Sequence, residues 1–204
     1  MKATFITFEG SEGCGKSTQS KLLYGFLKRN GYKVVYLREP GGVKVSEQIR
    51  NILLEPENKI NPVAETLLYM AARAEVVSQL IKPALTSGKI VICDRFLDST
   101  IAYQGYGLGI DIGLIKQIGK FAKQGIKPDL TILLDLPLKA GLKHRESAKD
   151  RIERRPLSYH QRVRNGYLKL ASIEPKRFKV VQVDEEKSVT QNKIRKLVLA
   201  RLKK

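Results

Sequence analysis

The chain is poor in the residues on which several chemistries depend. Cys14 and Cys93 are its only cysteines among 204 residues. Two distant thiols build no disulfide framework, so both are expected as small buried or half-buried residues in a reducing compartment. Histidine is as scarce: His144 and His160 lie outside any recognisable nucleotide motif. Both are expected at the surface, and the chain offers no convincing acid–base dyad. No apolar run approaches the ~18 residues that a membrane helix needs. The leading segment Met1-Lys2-Ala3-Thr4-Phe5-Ile6 lacks the apolar stretch of a secretory signal. A soluble cytoplasmic protein with no membrane partner is therefore expected. Internal repeats, low-complexity tracts and linkers are missing as well. Acidic residues run short, 20 against 38 Lys plus Arg, which leaves a formal net charge of +18. That excess attracts anions of every kind, and a lysine-rich solvated surface would show it equally.

What is present suffices for a packed core. Hydrophobic residues make up 42% and charged residues 28% of the chain, ordinary values for a globular protein. Short β-branched runs alternate with longer amphipathic stretches, the rhythm of an α/β domain with a parallel sheet. The expected strands are Thr4–Phe8, Lys33–Leu37, Ile90–Cys93, Leu130–Leu134 and Lys179–Val183. Helical spacing recurs in Leu22, Leu23, Phe26 and Leu27, in Ile115, Ile118 and Ala122, and in Ile194, Leu197, Val198, Arg201 and Leu202, where Arg201 is expected to snorkel. One long helix is expected from Pro62 to Ser87, kinked or ended by Pro83. Gly31, Gly88 and Gly125 stand where helices should stop. Residues 1–204 read as one domain. The charge run Lys143 to Arg155 interrupts the α/β rhythm and marks an excursion at about 143–156.

Gly10-Ser11-Glu12-Gly13-Cys14-Gly15-Lys16-Ser17 fits G-x-x-x-x-G-K-[ST] in full, and Thr18 follows. An apolar strand precedes it and an amphipathic helix follows, the context in which backbone N–H groups converge on phosphate oxygens. Lys16 would reach the β- and γ-phosphates of ATP, and the Ser17 hydroxyl would ligate Mg²⁺. Such a loop serves hydrolases and kinases alike. The strand Ile90–Cys93 leads into Asp94 and Arg95, and Asp94 stands where a carboxylate holds the metal's water shell. Hydrolysing ATPases usually place Glu after that Asp to orient water. Arg95 suits a second anionic substrate instead. The guanine-reading N-K-x-D pattern is absent, because Asn192-Lys193-Ile194-Arg195 lacks the Asp.

Taken together, the loop, Arg38-Glu39-Pro40-Gly41-Gly42, Leu67-Leu68-Tyr69-Met70-Ala71-Ala72-Arg73 and the segment Asp94 to Gly105 resemble thymidylate kinase. Lys127 to Thr131 and Arg162 to Leu168 fit the same family in the same order. The resemblance implies a three-layer α/β/α P-loop nucleoside monophosphate kinase fold with a five-stranded parallel sheet, ATP and dTMP as substrates, Mg²⁺ as cofactor and a homodimer. It implies that Arg38 and Arg95 bind the dTMP phosphate, where planar guanidiniums match phosphate oxygens. Tyr69 would stack on thymine, Arg73 would donate to a thymine carbonyl, Thr100 would read the base edge, and Ser99 would belong to the same substrate site. Tyr103 would crowd the sugar's 2′ position, Glu12 would contact the 3′-hydroxyl, and Gln104 would lie near the base.

A monophosphate acceptor with a second pKa near ~6 is largely dianionic at neutral pH, so no general base is required. The harder task is bringing two polyanions into line, which calls for arginines. The excursion supplies Arg145, Lys149, Arg151 and Arg154 and resembles the family's lid. Family members of eukaryotic type carry an arginine at the loop position held here by Gly13, so the resemblance implies the bacterial arrangement, with Arg151 first and Arg154 second as lid arginines. The rivals are another P-loop nucleotide or nucleoside kinase and, from a different class, a regulatory P-loop ATPase or basic nucleic-acid-binding protein. A specific nucleic-acid partner is not expected, since no aromatic-studded basic repeat is present.

Overall fold

A computed structural model of the chain describes residues 3–143 and 150–203. Strands β1 (Thr4–Gly10), β2 (Val34–Arg38), β3 (Ile90–Asp94), β4 (Leu130–Asp135) and β5 (Phe178–Gln182) form one sheet in the order β2-β3-β1-β4-β5. All four pairings are parallel. Residues in β1, β3 and β4 are buried throughout, as expected of central strands covered on both faces. Each observed strand lies within two residues of its expected ends.

The alternation of β1 divides the core between two helical layers. Ile6 and Phe8 pack with Leu23 and Leu27 of α1 (Lys16–Arg29) and with Ile194 and Val198 of α9 (Lys187–Leu202). Phe5 points the other way, onto Val76, Val77 and Phe96. That opposite layer holds α2 (Lys44–Leu54), α3 (Pro62–Val76), α4 (Lys82–Thr86), α5 (Leu97–Thr100), α6 (Ile112–Ala122) and α8 (Leu157–Ile173), while α7 (Leu138–Lys143) follows β4. The expected three-layer α/β/α architecture is present.

Pro83 neither ends nor breaks the long helix. A π-helical turn over Val77–Ile81 joins α3 to α4 immediately before Pro83, and this local widening lets the helix continue past a residue with no N–H to donate. A second π-helical turn, Ile101–Gly107, continues α5. One further expectation is corrected. His160 is 2% exposed, edge-to-face with Tyr159 on the inner side of α8, because that face packs against the second π turn. Arg201 pairs with Asp129 at 2.9 Å, where a carboxylate lies within reach of its guanidinium. His144 lies outside the described residues. Both cysteines are buried and neither is bridged. Among the described residues no helix is long and apolar enough to cross a membrane.

Candidate active site

The carboxyl ends of β1, β2 and β3 open on one cavity of about 420 Å³, the position where open parallel sheets bind ligands. The loop after β1 forms one wall. At Gly10 φ is +145°, and a Cβ there would stand 2.4 Å from the Leu134 carbonyl oxygen. Only glycine lets β4 run this close. Gly15 caps α1 without a side chain, and the first turn of the helix carries no acid of its own, so its N-terminal N–H groups and dipole face the cavity. Lys16 is buried and donates to the Ser11 carbonyl oxygen at 2.7 Å, with Cys14 Sγ at 3.7 Å.

Asp94 ends β3 beside this loop. Its Oδ2 accepts from Ser17 Oγ, and its Oδ1 is buried without a hydrogen-bond partner. A carboxylate oxygen with spare lone pairs beside a serine hydroxyl fits a hard divalent cation. Among the described residues no cluster of three or more His, Cys, Asp or Glu gathers anywhere to hold a metal. A cation at Ser17 and Asp94 would therefore take most of its ligands from phosphate and water.

Arg95 adopts φ +74°, a left-handed conformation costing a non-glycine residue ~1–2 kcal/mol. Its neighbours hold it there. Its N–H donates to Phe8 O at 2.9 Å, its carbonyl accepts from Cys93 Sγ at 2.9 Å, and the next N–H, of Phe96, donates to Glu9 Oε1 at 2.8 Å. The twist sends the guanidinium into the cavity. There Nη2 donates to Glu12 Oε1 at 2.6 Å and to the Tyr103 hydroxyl at 3.2 Å. Tyr103 also donates to Glu12 Oε1 at 2.7 Å. Burial opposes the charge on Arg95, but Glu12 and the neighbouring tyrosines outweigh it and hold its pKa well above the ordinary value.

The opposite wall comes from α3. Asn61 caps this helix by accepting from Ala64 N, and Pro62 occupies its first turn. Glu65, Tyr69 and Arg73, spaced by four, fall on one stripe of the helix. Arg73 is 2% exposed and donates from Nε to Glu39 Oε2 at 2.8 Å and from Nη2 to Thr100 Oγ1 at 3.1 Å. Burial raises the Glu39 carboxyl to about 7 although Arg73 pulls it down. Arg38 lies at the end of β2 with Nη2 2.9 Å from Glu47 Oε2, and its Nη1 has no partner.

Glu12, Arg38, Tyr69, Arg73, Arg95, Ser99, Thr100, Tyr103 and Gln104 thus line the same cavity as Lys16, Ser17, Thr18 and Asp94. Arg151 and Arg154 do not line it. Arg151 donates from Nε to Leu53 O at 3.0 Å and pairs with Glu65 at 2.6 Å, while Arg154 is exposed. Arg145 and Lys149 lie outside the described residues. Sequence reasoning missed Arg50, whose Nη1 donates to Pro40 O beside the cavity, and the buried carboxylates Glu9, Glu39 and Glu65. Glu39 lay within a motif already singled out, but nothing local distinguishes a buried Glu from a solvated one.

The family model for thymidylate kinase matches residues 8–194. This chain belongs to the thymidylate kinase family. It is 47% identical over 207 residues to a thymidylate kinase of Geotalea uraniireducens, covering 97% of each chain. Identity to a thymidylate kinase of a Thermoanaerobacter species is 48% over 179 residues, 87% of this chain and 88% of the relative. The crystal structure of thymidylate kinase from Ehrlichia chaffeensis superposes with a TM-score of 0.80 at 35% identity, over 97% of this chain and all of that one.

Proposed function

We propose that this thymidylate kinase family member transfers the γ-phosphoryl group of ATP to dTMP, giving dTDP for dTTP synthesis. The observation that carries the reading is one cavity lined by two sets of cationic groups: Lys16 beside the start of α1, and Arg38 with Arg95. The same cavity holds an aromatic side chain, Tyr69, and the buried donor Arg73, as a flat base with carbonyl edges requires. Ser17 and Asp94 are the residues that would hold Mg²⁺, which when bound supplies charge neutralisation on the phosphates.

The chain's own groups act by position and charge. The acceptor phosphate arrives as a nucleophile already deprotonated, so no side chain needs to take a proton. Arg95 exchanges Glu12 for phosphate oxygens, which frees the carboxylate of Glu12 toward the sugar hydroxyl. Lys16 leaves the Ser11 carbonyl for the transferring group. Arg151, with Arg154 as second choice, completes the cationic surround from a lid at about 143–156 of an otherwise single domain and keeps water out.

The reading extends to a cytoplasmic homodimer. α3 packs between α2 and α6, and Val63 and Leu67 on α3, Ile52 on α2, and Leu114 and Phe121 on α6 are exposed, Phe121 by 86%. Apolar side chains this open on adjacent helices suit a second copy of the chain.

Coupled ADP release against dTMP, dUMP, dCMP and deoxynucleosides tests the assignment. dTMP is expected to give the highest kcat/KM. ATP turnover indifferent to dTMP, or stimulated by DNA or RNA, would refute it.

A further inference from the structure

Glu65 is fully buried on α3, one turn before Tyr69, and it is crowded with donors from two directions. Gln104 Nε2, on the second π turn, donates to Oε1 at 2.8 Å. Arg151 Nη1 and Arg155 Nη2 each lie 2.6 Å from Oε2. Arg155 is itself stacked over Tyr159 and donates to its hydroxyl at 2.7 Å. The segment carrying both arginines is fastened nearby, since Arg151 N–H donates to Leu54 O at 3.2 Å. One buried carboxylate therefore joins a side chain of the base end of the cavity to two guanidiniums of the 150–155 segment.

We propose that Glu65 is a positioning residue that fixes the Gln104 amide and, chiefly through Arg155, docks the 150–155 segment. This rests on the functional reading above and deepens it. An ionised carboxylate only accepts, so it dictates which end of Gln104 faces it: the NH₂ group. The Gln104 carbonyl is left to face the base, where it accepts from the N3–H of thymine and repels the bare N3 of cytosine. The other oxygen of Glu65 answers two guanidiniums. A neutral amide at position 65 could hold one donor on its carbonyl, while its NH₂ would repel the rest. Acceptor discrimination and placement of the 150–155 segment thus share one anchor.

The test compares wild type with Glu65→Gln and Glu65→Asp, using kcat/KM for dTMP and for dCMP. Glu65→Gln is expected to lower kcat/KM for dTMP by about tenfold or more and to shrink the dTMP-over-dCMP ratio by about fivefold or more. The ratio is insensitive to the fraction of folded enzyme, so it separates positioning from mere stability. Arg155→Met should cost less in the Glu65→Gln background than in wild type, because the two groups act as one unit. If Glu65→Gln does not fold, Glu65→Asp serves in its place: it keeps the charge but withdraws the carboxylate by one methylene, and the same loss of ratio is expected. A folded variant with both quantities within about twofold of wild type overturns the proposal, as does an equal loss toward both nucleotides. Gln104→Ala and Arg151→Ala are measured alongside. If they impair dTMP turnover while the Glu65 variants do not, only the anchor falls. If wild type ignores dTMP, the functional reading falls with it.

Discussion

Replacing Gly13 by alanine adds one methyl group at the point where the phosphate loop touches α7. The backbone of Gly13 sits at φ +74°, and a Cβ built there stands 2.3 Å from the carbonyl oxygen of Gly141 and 3.0 Å from its carbonyl carbon. Two penalties follow. The left-handed conformation costs an L-residue ~1–2 kcal/mol. Relieving the contact requires backbone to move, since no flexible side chain can yield, at a further ~1–3 kcal/mol. With a central sum of about 3 kcal/mol and about 2–4 °C per kcal/mol for a chain of this size, the melting temperature should fall by about 6–12 °C. Loop N–H groups displaced by a fraction of an ångström should also raise the KM for ATP by about tenfold. Gly15→Ala is the internal control. Its φ is +84° but nothing lies within 4 Å of the added Cβ, so only the ~1–2 kcal/mol conformational cost applies. Differential scanning fluorimetry and coupled kinetics on both variants measure the difference. A Gly13→Ala enzyme that melts no lower than Gly15→Ala, with an unchanged KM for ATP, would refute the argument.

Three further outcomes are expected. Arg151→Ala should lower kcat by about 10²-fold with a smaller change in dTMP affinity, as steady-state kinetics would show; a near-normal kcat assigns the role elsewhere. Glu174, hydrogen-bonded to Arg177, has its carboxyl lowered from 4.5 to about 2; because the folded value is depressed, its stabilisation is present above about pH 4.5 and lost as the pH falls toward 2. Exposure discounts the effect to about 1 kcal/mol, so wild type and Glu174→Gln should differ by that amount at pH 6 and converge near pH 2 in urea titrations. Phe121→Asp should weaken the proposed homodimer by about tenfold or more without lowering the melting temperature of the monomer, measured by sedimentation; an unchanged association state would remove this face from the interface.

The strands and the phosphate loop were legible because their signals are local. A run such as Phe5-Ile6-Thr7-Phe8 has one reading in a period-two frame, and the glycine spacing of Gly10 to Gly15 fixes the turn that follows. The two π-helical turns were not legible. Val77–Ile81 and Ile101–Gly107 are composed of residues that suit an ordinary helix, and their widening accompanies packing against the sheet residues Phe5 and Val91 and against α8, which no local window contains. His160 was misplaced for a related reason. A histidine in a charged stretch reads as solvated until the partner face, here the second π turn, is known.

The buried carboxylates expose the deeper limit. Glu39 meets Arg73 across 34 positions, Glu65 meets Arg155 across 90, and Glu12 meets Arg95 across 83. Summed charge, +18, suggests a cavity crowded with bare cations. The structure instead gives Arg38, Arg73, Arg95, Arg151 and Arg155 each a carboxylate partner. An incoming anion at Arg95 must therefore do better than Glu12, which already holds the guanidinium at 2.6 Å. A monoanion gains little by that exchange, whereas a phosphate dianion brings twice the charge and three oxygens to a planar fork. With Arg95 as the proposed phosphate ligand, its pairing with Glu12 would favour phosphate over weaker anions by competition within the site, a discrimination that the net charge of the chain could never provide.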